Sequence, residues 1–123
     1  MPEAGSAGIF DITTIDDDNL IQQRRLTMAT FISLTNFTDQ GIRNIKESPD
    51  RFGAVKAMAE KLGLTVKSFY YTVGQYDMVL VIEGNEDAAT TLMVKVASLG
   101  NVRTQTMRAH SVDEMRKILD KMP

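Results

Sequence analysis

From Ala29 to Thr35, branched and aromatic residues alternate with polar ones until Asn36 breaks the run, which is the period of a strand. Thr38 then offers a side-chain oxygen to the free amides of a helix start. Ile42 and Ile45 open an apolar stripe, Pro49 interrupts it, and Phe52, Val55, Met58 and Leu62 resume it at helical spacing. This predicts one kinked helix or two in series. Ser48, Pro49 and Asp50 suit the first turn of the second piece, where proline forfeits no hydrogen bond, and Gly63 closes it through left-handed backbone. Leu64 to Val73 and Tyr76 to Glu83 are two β-rich runs separated by Gly74 and Gln75, the composition of a two-residue hairpin turn. Asn85, with Glu86 and Asp87 after it, starts a helix whose acids complement the dipole; Ala89, Leu92, Met93 and Val96 carry its apolar face to Gly100. Asn101 to Ala109 alternates again as a fourth strand. Ser111 and Glu114 then form a Ser-x-x-Glu capping box for a last helix running to Met122.

The order β-α-β-β-α-β plus a C-terminal helix defines an α+β fold of the split β-α-β, ferredoxin-like kind: a four-stranded antiparallel sheet with both helices on one face. In the third strand Met78, Leu80 and Ile82 point one way and Val79 and Val81 the other, so both faces are apolar. One face packs the helices, and the second needs another cover. A second copy is the economical one, giving a two-fold dimer and, if the sheets curve around each other, a dimeric α/β barrel with a cavity between them. On the fourth strand Arg103, Gln105 and Met107 share one side, and Thr104, Thr106 and Arg108 the other. Polar groups are therefore expected to line part of that interior.

Ahead of Met28 the pattern weakens into a Gly-, Ser-, Thr- and Asp-rich leader. Residues 1–27 are read as an N-terminal extension, flexible or loosely docked, and residues 28–123 as the folded domain. Within the leader, Gly8 to Thr14 could add to a sheet edge and Asp18 could cap a short helix. Five of the 16 acids but two of the 14 bases lie in the leader, leaving 11 acids and 12 bases in the body. That balance gives no clustered basic face for nucleic acid. The 123 residues hold no cysteine, which excludes disulfides, thiolate metal sites and cysteine nucleophiles, and suits a reducing cytoplasm. A basic start and apolar secretory stretch are missing, and the longest apolar run, Met78 to Ile82, has strand length, so neither export nor membrane insertion is expected.

Chemistry-bearing residues are sparse. Gly74, Tyr76 and Asp77 suit a turn, an amphipathic packing residue and an acceptor for turn amides. The functional alternative places Asp77 at the mouth of the cavity as a base or ligand anchor. His110 is the one histidine, just beyond the fourth strand. Arg103 and Arg108 fall on opposite strand faces, so one of the two points inward, able to hold a carboxylate or pair with Asp77. Of the aromatics Phe69, Tyr70 and Tyr71, one faces away from its neighbours and could floor a pocket. The ligand-binding candidates are Tyr71, Tyr76, Asp77, Arg103 and His110. One histidine with Asp77 and Glu83 has no metal-ligand spacing, Asp16 to Asp18 reads as a solvated turn or cap, and nucleophilic triads and phosphate-cradling glycine motifs are missing. Neither metal nor cofactor is expected.

Four ordered motifs, Asn44-Ile45-Lys46-Glu47-Ser48-Pro49, Phe69-Tyr70-Tyr71, Gly74-Gln75-Tyr76-Asp77 and Ser98-Leu99-Gly100-Asn101-Val102-Arg103-Thr104, together resemble the GYD domain family of small bacterial and archaeal proteins, named for the Gly, Tyr and Asp of the hairpin. The resemblance spans about Ala29 to Ala109, and the leader departs from it. It implies a ferredoxin-like subunit that oligomerises and carries no settled activity or catalytic residues. The expected function is a non-catalytic, cytoplasmic homo-oligomer that binds a small molecule in the intersheet cavity or serves as an assembly. The alternatives are a cofactor-independent enzyme of the isomerase or oxygenase type, with Asp77, Tyr76 or His110 as acid or base, and a protein-interaction module, which predicts apolar surface left over after oligomerisation.

Overall fold

The computed structural model describes residues 28–123, so the edge strand expected at Gly8 to Thr14 and the cap expected at Asp18 lie outside the described residues. Strand β1 (Ala29–Phe37) leads into a short helix α1 (Asp39–Arg43), one 3-10 turn (Ile45–Glu47) and helix α2 (Ser48–Lys61). Strands β2 (Thr65–Tyr71) and β3 (Met78–Gly84) follow, then α3 (Glu86–Ser98), β4 (Val102–Ala109) and α4 (Val112–Leu119). The strands form one sheet in the order β2-β3-β1-β4, every pair antiparallel. This is the ferredoxin-like α+β arrangement. The expected kinked helix is two helices in series, with Pro49 in the first turn of α2 and Gly63 at positive φ after its end.

Helices α2 and α3 pack on one face. Phe31, Leu80, Ile82, Leu92 and Ala59 are buried there, and Phe52 stacks on Phe69 with ring centroids 4.0 Å apart. The inward positions of β1 turn polar along the strand, from Phe31 to Ser33 and Thr35. Thr106 Oγ1 donates to Ser33 Oγ at 3.1 Å, which satisfies part of that buried hydroxyl's demand. On the edge strand β2 the register shifts between Val66 and Ser68, a bulge that leaves Lys67 without a cross-strand partner.

The β2-β3 connection differs from the two-residue turn expected at Gly74 and Gln75. Regular pairing stops at Tyr71 and Met78, Thr72 N donates to Asp77 O at 2.8 Å, and residues 73–76 form the tip, with Gly74 at positive φ. The longer loop arises because Asp77 is also tied to β1. Its amide donates to Thr35 O, and its carboxylate accepts from Phe37 N, both at 2.9 Å.

Helix α1 is held against the loop that follows α3. Thr38 accepts from Gly41 N and donates to Gly100 O, while its own amide donates to Asn101 O. Gly41 is buried so closely that an added Cβ would fall 1.9 Å from Asn101 O. Because that obstacle is backbone, Gly41→Ala is expected to lower the urea unfolding free energy by about 3 kcal/mol. Gly53→Ala, in the interior of α2 with nothing within 4 Å of the new carbon, should raise it by about 0.5 to 1 kcal/mol. Equal effects at the two positions would contradict the close approach of α1 to Asn101.

Candidate functional site

Among the described residues, no helix lies over the second face of the sheet. Alternation and register place Ile32 opposite Val81 and Met107, Leu34 opposite Val79 and Gln105, and Tyr70 opposite Val79. Apart from Gln105, their side chains form one apolar band across the four strands. The four aliphatic positions on β1 and β3 are half-buried by one another, while Tyr70 is 64% exposed and Met107 39%. Asn36, Glu83, Arg103 and Gln105 make a polar rim. Such a surface, apolar at the centre and polar outside, has the make-up of an interface.

The residues singled out from sequence fall into separate places. Tyr76 sits beside the open face, its hydroxyl donating to Gln105 Oε1 at 2.8 Å. Arg103, opposite Asn36, is at the same end of that face. Asp77 is near both, and its carboxylate is engaged by the Phe37 amide, where it continues the β1 ladder in place of a strand carbonyl. No ion pair joins it to Arg103; among the described residues the one ion pair links Arg116 to Asp113. Tyr71 points to the helix face, edge-on to Phe69, and shares a 2.9 Å hydrogen bond with Ser48. Tyr70 is the aromatic that faces the other way. His110 is exposed at the far end of β1, beside the Thr30–Ala109 pair. Strand rise puts it roughly 17 Å from Asp77. Tyr76, Asp77 and Arg103 are thus brought together, and Tyr71 and His110 are not. Arg108 lies on the helix side, its guanidinium carbon 5.8 Å from the Phe31 ring centre.

Helix α4 is a second unpartnered feature. Met115, Ile118 and Leu119 recur along one side of it and are exposed, and none of its residues is buried; the helix ends at Leu119, short of the expected Met122. Its N-terminus is well made: Glu114 N donates to Ser111 Oγ, and Ser111 N donates to the Glu114 carboxylate at 2.8 Å. That backbone donor holds the Glu114 pKa below its ordinary value, reinforced by the charges of Arg108 and His110 and opposed by slight burial.

No grouping of three or more His, Asp or Glu side chains suited to a metal ion occurs among the described residues. No helix there is long and apolar enough to cross a membrane.

The GYD domain model matches residues 31–119. The chain belongs to the GYD domain family. The match continues past β4 to the end of α4, beyond the span of the four sequence motifs. A curated relative from Thermus thermophilus is 38% identical over 91 residues, covering 72% of this chain and 95% of its own length; it is named a glutamine synthetase and cystathionine beta-lyase binding protein. No solved structure matches.

In this GYD domain the namesake residues have visible structural duties, Gly74 at the hairpin tip and Asp77 on the β1 ladder. Asp77→Ala, which orphans a part-buried amide, should cost about 2 kcal/mol in chemical denaturation, and Asp77→Asn, which keeps an acceptor, about half of that. At α4 the sign follows from the lowered Glu114 pKa. The cap's extra stability is present above the unfolded-state value and lost as pH falls through the folded-state value. Backbone shifts of residues 112–119 should accordingly report helix loss on acidification, and Glu114→Gln should flatten that dependence.

Proposed function

We propose that this GYD domain is a non-catalytic binding protein that works in the cytoplasm as a homo-oligomer, with the open sheet faces of two copies packed together. The observation that carries this reading is the apolar band of Ile32, Leu34, Val79, Val81, Tyr70 and Met107 on a face that no helix of the described residues covers. Burying a fully exposed side chain of this size yields about 1.5 to 3 kcal/mol, and less for the four that are already half-buried, so a self-complementary pairing across the whole band is favoured by the sum of these gains. Tyr76, Asp77 and Arg103 would then sit at one margin of the cavity between sheets, a position suited to anchoring a small ligand. Against catalysis, Asp77 and His110 lie at opposite ends of β1, and the Asp77 carboxylate is occupied by a backbone amide.

Pairing through the sheet would leave α4 free, with its apolar side facing water. This supports protein partners in addition to self-association. The name of the Thermus relative supports the same reading and nominates glutamine synthetase and cystathionine beta-lyase as the first partners to try.

Sedimentation of the full chain at micromolar concentration should show a dimer or a larger closed oligomer. Val81→Lys places a charge in the centre of the band, and should raise the dissociation constant at least about 100-fold with the far-ultraviolet spectrum unchanged. A monomeric wild-type chain would overturn the pairing. For the partners, titration of the wild-type oligomer against each purified enzyme from the same organism should give saturable binding, weakened by Ile118→Lys on α4 and not by Asp77→Asn.

A further inference from the structure

A partly open cavity within a single chain lies on the other side of the sheet from the proposed pairing face. Between α2, α3 and the inner ends of β1 and β4 is a cavity of about 140 Å³. Val55 and Met58 of α2 and Met93 and Val96 of α3 form its walls, and Ser33 and Thr35 of β1 its floor. Apolar cavities of about this size, near 150 Å³, stay dry and take up benzene. This one differs in its floor.

Ser33 is fully buried and Thr35 is 7% exposed. Ser33 Oγ accepts from Thr106 and lies 3.6 Å from Met93 Sδ, a weak acceptor. Thr35 is less well served: among the described residues, the contact its hydroxyl makes is with Ser33 Oγ at 3.5 Å. That is well beyond the 2.5 to 3.0 Å of an ordinary hydroxyl bond. A buried hydroxyl bonded so poorly is costly to leave in that condition, and it lines the cavity. The cation beside the cavity, Arg51, is committed elsewhere, donating to the carbonyls of Asn44 and Gly41 at 2.9 and 3.3 Å.

We infer that this cavity is a binding site for a small neutral molecule with a compact apolar body and one hydroxyl or carbonyl group, seated against Thr35. The walls take the apolar body through burial, and the Thr35 hydroxyl gains the full-strength partner it lacks. A carboxylate is disfavoured because the one cation in the lining, Arg51, already directs both terminal nitrogens at backbone carbonyls. The site belongs to one subunit and does not depend on the sheet pairing proposed above.

Phenol, toluene and benzoate serve as probes in titrations of the isotope-labelled full chain, read at the methyl groups of Val55, Met58, Met93 and Val96. Phenol should bind saturably with a dissociation constant of about 1 mM or tighter. Thr35→Val should weaken phenol about fivefold and leave toluene within about twofold. Val96→Phe, which fills the space, should abolish binding of both. Val81→Lys, which acts on the opposite face, should leave phenol affinity unchanged, so failure of the pairing and failure of this site are read separately. The inference is overturned if phenol gives no saturable change, if Thr35→Val weakens phenol and toluene equally, or if benzoate binds more tightly than phenol.

Discussion

A sheet that is apolar on both faces but has helices for one of them is the constraint on which the rest of this structure depends. β3 shows it most plainly, with Met78, Leu80 and Ile82 buried under α2 and α3 and Val79 and Val81 left on the outside. β1 repeats the arrangement with a twist. Its inward set grows polar at Ser33 and Thr35, while its outward set, Ile32 and Leu34, stays aliphatic. The central strand therefore places part of its hydrophobic content where the described residues bury it only in part. Both functional readings follow from that distribution: the outward aliphatics favour an external cover, and the inward hydroxyls give the space under the helices a polar floor.

Much of this architecture could be read from the chain before any coordinates. The order of elements, the two-piece helix around Pro49, the stop at Gly63 and the capping box at Ser111 each rest on chemistry confined to a few neighbouring residues, and the structure reproduces them. Failures came where local preference met a distant tether. Gly74 and Gln75 favour a tight turn, yet Asp77 is drawn out of the hairpin by two bonds to β1, more than 35 residues earlier in sequence. The packing of Gly41 against Asn101 was likewise invisible, since nothing beside Gly41 signals a close approach from the other end of the domain.

The candidate site was legible in outline and not in membership. Alternation in β3 was enough to expose a second apolar face, and the same parity argument separated Arg103 from Arg108. It could not place Ser33 and Thr35, because the apolar residues of β1 occupy both parities and leave the inward set undecided. Titratable residues attracted notice first, as they generally do. Here the least satisfied buried polar group is a threonine, a residue type common enough in strands to pass as ordinary β-branched filling.

The irregular step at Lys67 bears on how copies of this domain can meet. A regular edge strand offers its unpaired amides and carbonyls to any similar strand, and sheets joined in that way grow without limit. The bulge interrupts that row on β2 and leaves an exposed lysine in the gap. At the opposite edge, Arg108 turns back to the carbonyl of Ala109 at the end of β4 and to that of Thr30 on the neighbouring β1. Growth into an open fibre is thereby penalised along the β2 margin, and contact through the broad face is the route that can close on itself.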